Sequence, residues 1–183
     1  SMARHVQLVG NICSNNVLAG IKIDPLSGTT AGEEYQLLQN VVCNNPGDGI
    51  YLQGSLTPLE CNTVFLVENN TILNSGTGIT LRNTNTRGTK TNFLKNNLIH
   101  VSAMQKSCIN ALQGSLHYSD FNDLYATSAN SHIGTLLSTT LTPNVTNHYD
   151  TLTLWRTATG QDANSLSTNG LVVNSSMGNF RLR

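Results

Sequence analysis

One paragraph of sequence is written again and again along this chain, and that repetition limits what it can fold into. The clearest copy runs from Val64 to Leu81. It holds a short apolar run, the pair Asn69 and Asn70, and a second run at Thr71-Ile72-Leu73. A turn at Ser75-Gly76-Thr77-Gly78 and a third run at Ile79-Thr80-Leu81 complete it. Anchored on the Asn before the second run, the copies fall at Asn11, Asn40, Asn70, Asn97 and Asn122, spaced 29, 30, 27 and 25 residues apart. Two places after each anchor stand Cys13, Val42, Ile72, Ile99 and Leu124. Three places before stand Leu8, Leu37, Val67 and Leu94, with Ser119 as a weak fifth. Further on come Ile21, Ile50, Ile79 and Ile109, with Ile133 expected to complete the file. The first three follow Gly20, Gly49 and Gly78 directly.

A fixed period of about 20 to 50 residues marks a solenoid, because each unit buries its apolar face only against its neighbours. Apolar residues alternate within the clearest runs, which is the strand period and not the helical one. Gly, Asn, Pro and Ser separate the runs and supply turns. Each unit is therefore a coil of three short strands. Stacked coils pair equivalent strands in parallel, and such crossovers are overwhelmingly right-handed. The predicted fold is all-β: a right-handed parallel β-helix of about five to six coils, with a short C-terminal helix and an irregular tail. Residues 1–137 form the coils. Residues 138–183 form a tail or cap on the same solenoid.

The anchors Asn11, Asn40, Asn70, Asn97 and Asn122 read as a structural ladder. A bend between strands suits a residue that tolerates the left-handed region, and Asn does so better than most. Stacked amides can also donate and accept in sequence where water does not reach.

Composition narrows the partners. Charged residues are 11% of 183, and the formal net charge is zero. There is no basic stripe, which excludes a nucleic-acid footprint. No apolar run approaches the ~20 residues of a membrane span. Of four cysteines, Cys13, Cys43, Cys61 and Cys108, none forms a C-x-x-C pair. Cys13 and Cys43 fall one step apart in register and should face opposite ways. Asn-x-Ser/Thr triplets begin at Asn69, Asn144 and Asn174. Coil one starts almost at once, without an obvious cap. This predicts an excerpt of a longer protein, or an open end through which the chain self-associates.

Leu152, Trp155 and Ala158 lie at helical spacing before Gly160, so Leu152 to Thr159 reads as a short amphipathic helix. Its lone Trp155 should plug the last coil or pack along its side, with a sugar-stacking role as the sharper alternative. Runs at Leu171-Val172-Val173 and Phe180-Arg181-Leu182 are expected to add a last incomplete turn.

The segment Leu154-Trp155-Arg156-Thr157-Ala158-Thr159-Gly160-Gln161-Asp162-Ala163-Asn164-Ser165 resembles one near the C-terminus of extracellular bacterial β-helix proteins. So does the later Gly178-Asn179-Phe180-Arg181-Leu182. With the Asn-Asn-Thr-Ile and Gly-Ile-x-Leu of the repeat, the chain is similar to the pectate-lyase-like superfamily of carbohydrate-binding proteins and sugar hydrolases. The resemblance implies a polysaccharide partner and an extracellular, cell-surface or periplasmic location. It also implies a sugar surface on the sheet of the Gly-Ile-x-Leu strands. The outward column there is Lys22, Tyr51, Thr80 and Asn110, flanked by Asp24, Asp48, Gln53, Arg82 and His132. We take Lys22, Tyr51, Gln53, Thr80, Arg82 and Asn110 as the candidate glycan-binding residues.

Catalytic residues do not emerge. A glycoside hydrolase needs two carboxylates ~5–9.5 Å apart. Asp24 and Asp48 sit on adjacent coils with a five-residue offset, which is roughly 15 Å. Lys22 and Arg82 are two coils apart, roughly 10 Å, too far to share one uronic acid. His5, His100, His117, His132 and His148 are scattered. No carboxylate cluster suggests a metal, and no motif calls for a cofactor. Glu33, Glu34, Glu60 and Glu68 could complete a site only by reaching in from loops. The reading is a glycan-binding or surface module, with a polysaccharide lyase, epimerase or glycoside hydrolase as the alternative.

Overall fold

The computed structural model describes residues 4–24, 33–54, 63–82, 92–138, 144–168, 172–174 and 179–182. Three parallel sheets wind into a β-solenoid. The first holds β1 (Arg4–Val9), β4 (Glu33–Leu38), β7 (Thr63–Glu68), β10 (Phe93–Lys95) and β13 (Tyr118–Asp120). The second holds β2 (Ile12–Ser14), β5 (Val41–Cys43), β8 (Thr71–Ser75), β11 (Leu98–Val101) and β14 (Asp123–Ala126). The third holds β3 (Ile21–Ile23), β6 (Ile50–Gln53), β9 (Ile79–Arg82), β12 (Ser107–Leu112) and β15 (His132–Ser138), with β16 (Val145–Tyr149) at its edge. Four stacking steps relate the five strands of each parallel run, so the solenoid makes about four turns and not five to six coils. The physical reason lies at the end of the repeat. After β15 the chain reverses, and β16 pairs with it antiparallel, from Gly134 opposite Tyr149 to Ser138 opposite Val145.

The apolar file is in register. Ile21, Ile50, Ile79 and Ile109 are direct partners, and all four are buried. The fifth member is Gly134, not the expected Ile133. A Cβ on Gly134 would lie 2.1 Å from the ring of Trp155, so the missing side chain makes room for that indole. Trp155 is fully buried and plugs the last coil, which excludes the sugar-stacking role. Gly20, Gly49 and Gly78 also answer to space: a Cβ on each would strike Val42, Ile72 or Ile99 within 2.5 Å. In the fourth rung Cys108 takes this place, its thiol reaching inward to the Ile99 carbonyl at 3.7 Å.

The Asn ladder forms, with its parts divided differently than expected. Asn11, Asn40, Asn70 and Asn97 each donate Nδ2 to the Oδ1 of the next anchor, at 3.0, 2.9, 3.0 and 3.1 Å. Each backbone N–H donates to the same oxygen at 2.9–3.0 Å. The second Nδ2 hydrogen of Asn40, Asn70, Asn97 and Asn122 bonds back to a carbonyl of the preceding rung: Leu8, Leu37, Val67 and Leu94. The left-handed residue is not the ladder Asn but the one before it. Gly10, Gln39, Asn69, Asn96 and Phe121 all have φ between 55° and 66°. The bend is thus made by one residue, and its buried polar groups are satisfied by the next.

The ladder is closed at its C-terminal end. Asp162, itself left-handed at φ 59° and buried, accepts from Asn122 Nδ2 at 3.0 Å, Ser119 Oγ at 3.0 Å and Ser165 Oγ at 2.6 Å. Its other oxygen accepts from Trp155 Nε1 at 2.8 Å. The Ser165 hydroxyl replaces the next amide as acceptor for the Asn122 N–H. The helix that delivers Trp155, α1 (Leu152–Thr159), has the expected bounds. Thr151 caps it by accepting from the Leu154 N–H, and Gly160 ends it in the left-handed region.

Other expectations part from the structure. The strands β17 (Val172–Asn174) and β18 (Asn179–Leu182) pair antiparallel with each other and add no solenoid turn. Cys13 packs at the core edge and Cys43 is buried on the opposite side of the second sheet; both are free thiols. Cys61 and Glu60 lie outside the described residues. The first rung stays uncovered among the described residues, with Val6, Val9, Ile12, Val17 and Leu18 exposed. No helix among them is long and apolar enough to cross a membrane.

Asn97→Ala should cost at least about 2 kcal/mol in chemical denaturation, because it strands the buried Asn70 N–H and removes the Nδ2 donor that satisfies the Val67 carbonyl. Asn11→Ala, at the exposed end, should cost under about 0.5 kcal/mol. Equal losses would mean the amides are not coupled through burial.

Candidate functional site

The outward face of the third sheet is set by register. Lys22, Tyr51, Thr80, Asn110 and Thr135 are successive partners, and Thr135 meets His148 across the antiparallel edge. Gln53 and Arg82 are partners two residues further along. All six candidate residues therefore share one face, but they form two groups. At the first, Lys22 Nζ lies 5.5 Å over the Tyr51 ring and 3.2 Å from Asp24, while the Tyr51 hydroxyl donates to Gln53 at 2.5 Å. At the second, Arg82 Nη2 donates to Asn110 Oδ1 at 3.5 Å.

Between and beyond them lies a floor of hydroxyls. Thr77, Thr80, Ser107 and Thr135 are each no more than 5% exposed. Thr80 is thus floor and not rim. A cleft of about 260 Å³ opens at the first-rung end, lined by Leu18, Ala19, Lys22, Gly47, Asp48 and Tyr51. Arg82 Nη1 is buried and makes no hydrogen bond among the described residues.

Two features were missed. The first is the surroundings of Asp48. Burial pushes its carboxyl above the usual range, although the hydroxyls of Thr80 and Thr77 and the charges of Lys106 and Arg82 pull it down. Thr80 Oγ1 exerts that pull without a hydrogen bond of ordinary geometry. The five-residue offset between Asp48 and Asp24 stands, since Asp24 follows the Lys22 column and Asp48 precedes the Tyr51 column.

The second is a polar chain at the far end. Ser107 Oγ and Thr135 Oγ1 share a hydrogen bond at 2.6 Å, and Thr135 Oγ1 meets His148 Nδ1 at 3.1 Å. The His148 ring stacks on His132 at 4.3 Å, and His132 Nδ1 contacts Asp150. These histidines, scattered in sequence, meet because β16 folds back on β15. The turn of β16 carries no repeat signal, so the pattern could not have found it. Asp150 is about four strand spacings from Asp48, ~19 Å, too far for a hydrolase carboxylate pair. No three His, Cys, Asp or Glu among the described residues are grouped to hold a metal.

The other histidines stay apart from this face. His100 sits on the second sheet against Tyr125, and burial holds its pKa below the ordinary value. His5 pairs with Glu34 at 3.3 Å on the first sheet. His117 accepts from the Asn92 N–H near the β13 end. Glu33 and Glu34 also lie on the first sheet, in β4, and Glu68 ends β7 there.

Compared with known proteins, the chain matches no family model, no curated protein and no solved structure. The class that the coordinates define is a parallel β-solenoid with a hydroxyl-floored outer face.

Asp48 gives a signed test of this face. A carboxyl whose pKa is raised in the fold contributes stability while protonated, below its unfolded value of about 4, and loses it as pH rises through the folded value. Asp48→Asn should therefore raise thermal stability at pH 7, with the gain shrinking to nothing as pH falls to about 4. A loss of stability at pH 7 would show that the charged carboxylate is held by partners and not merely desolvated.

Proposed function

We propose that this chain is a right-handed parallel β-helix module of the pectate-lyase-like, carbohydrate-binding type. In this reading it is exported and works outside the cell, at its surface or in the periplasm. It binds an extended glycan along the outer face of the third sheet and carries no complete active site among the described residues. The observation that supports this most is the in-register run from Lys22 through Tyr51, Thr80 and Asn110 to Thr135, beside the unused hydrogen-bonding capacity of Arg82 Nη1. Strand spacing of about 4.8 Å repeats polar groups along a line, which suits a polymer with repeating hydroxyls. Tyr51 offers an aromatic face, Gln53 and Asn110 offer amides, and Lys22 and Arg82 offer two cations. Lys22 pairs with exposed Asp24 at 3.2 Å, so its own contribution is small. No cofactor enters this reading. The partners are a polysaccharide and, through the apolar first rung, a second copy of the chain.

A second reading has its own support. Asp48 is a partly buried carboxyl of raised pKa with Arg82 and Lys106 close enough to act on its charge. A polysaccharide lyase or epimerase needs a proton carrier beside cations, so acid-polymer chemistry would centre on Asp48.

Affinity electrophoresis separates the two. Retardation without product is expected on neutral or mildly acidic polysaccharide. Tyr51→Ala, and Lys22→Ala combined with Arg82→Ala, should each weaken it roughly tenfold, about 1.4 kcal/mol. Unchanged retention in both variants removes the face as the site. New ultraviolet absorbance on a uronic-acid polymer, lost in Asp48→Asn, would favour the lyase.

A further inference from the structure

The repeat supplies its own control for one odd residue. At the bend between the first and second sheets, the left-handed position is filled by Gly10, Gln39, Asn69, Asn96 and then Phe121, at φ 57°. Gly and Asn tolerate that conformation, and a bulky aromatic does so poorly. Strain of this kind persists where something else fixes it, and it concentrates at functional positions. Core packing does not explain it, because the Phe121 side chain is 48% exposed. Its ring meets Lys95, whose Nζ lies 5.6 Å from the centroid.

Around this ring the structure is built and rigid. A cleft of about 420 Å³ lies between the fourth bend at Asn96, the fifth bend at Phe121, and the capping segment at Asn164 and Leu166. Asp120 ties these walls together. It accepts from the Phe121 N–H at 2.9 Å, the Asn164 N–H at 2.7 Å and Asn164 Nδ2 at 2.8 Å. Burial would raise its pKa, but these bonds outweigh burial and hold the carboxylate below its ordinary range. Leu166, 55% exposed, is pinned through its N–H to Asn122 and its carbonyl to Leu124. The cleft thus has an aromatic face, a second apolar side chain and two exposed Asn side chains, while Asp123 at its wall is buried and accepts from the N–H and hydroxyl of Thr168.

We infer that this bend is a second, separate glycan site, in which the face of a neutral pyranose packs on Phe121 and its hydroxyls meet Asn96 and Asn164. An acidic sugar is disfavoured because the charged residue lining the cleft is Asp123. The site lies away from the sheet of Lys22 and Tyr51, so one molecule would hold a polymer at two places and gain avidity without new contacts. It extends the glycan reading above but stands on different residues.

The test uses galactomannan as the neutral probe in affinity electrophoresis. In Tyr51→Ala the third-sheet face is weakened, and residual retardation should remain. Adding Phe121→Asn should reduce that residue at least tenfold. Asn is what two of the four other bends carry, at Asn69 and Asn96, so the same change should relieve strain and raise Tm by about 2–4 °C. Residual retardation in Tyr51→Ala that adding Phe121→Asn leaves unchanged, or none left in Tyr51→Ala alone, overturns the second site. A fall in Tm overturns it too, by making Phe121 a packing residue. A wild-type chain that ignores every polysaccharide tried removes both sites together.

Discussion

Everything in this molecule hangs from a row of side-chain amides. A solenoid bend that buries its backbone must satisfy the N–H groups that point inward, since an unpaired buried donor costs about 1–3 kcal/mol. Asn alone among small residues both accepts and donates twice from one amide. Each ladder Asn accepts from the rung before and donates to the rung after, so no rung is complete without its neighbour. That dependence fixes the register, and the register fixes which side chains face out. At the end of the row an amide cannot be last. Asp162 and Ser165 replace the missing rung with a carboxylate and a hydroxyl, and Trp155 fills the volume that Gly134 leaves open.

The same register makes the outer surface chemically simple. A solenoid repeats its outward positions at one spacing, so chemistry on it is distributed in lines and not focused at a point. The third sheet shows this: hydroxyls form the floor, and larger polar side chains stand at the rim. Where the repeat stops, lines become clusters. His132 and His148 stack only because the chain reverses after β15, and Asn164 reaches the Phe121 bend only because the cap folds over it. Clusters of polar side chains therefore gather at the irregular end of a regular fold.

Periodicity made the fold legible. Alternation gave the three strands per rung, the Asn spacing gave the ladder, and the helix from Leu152 to Thr159 was marked by Gly160 and the spacing of Leu152, Trp155 and Ala158. The failures fall where one residue type serves two needs. Asn69 and Asn70 look interchangeable in sequence, yet the first bends the chain and the second bonds the rungs. Ile133 matches the file by type, but counting cannot reveal that an indole from 22 residues downstream claims the space beside Gly134. The six candidate residues did fall on one face, because alternation dictates it. That Thr80 is covered, that Asp48 is desolvated, and that Phe121 stands out are facts of neighbouring side chains, which a repeat pattern does not encode.

Side-chain hydrogen exchange of the ladder amides, followed by NMR, tests the central claim most directly. Buried and bonded on both sides, the Nδ2 hydrogens of Asn40, Asn70 and Asn97 should exchange orders of magnitude more slowly than those of exposed Asn11 and Asn69. Uniform, fast exchange at all five would contradict a coil-on-coil ladder, and with it the register that places every surface residue discussed above.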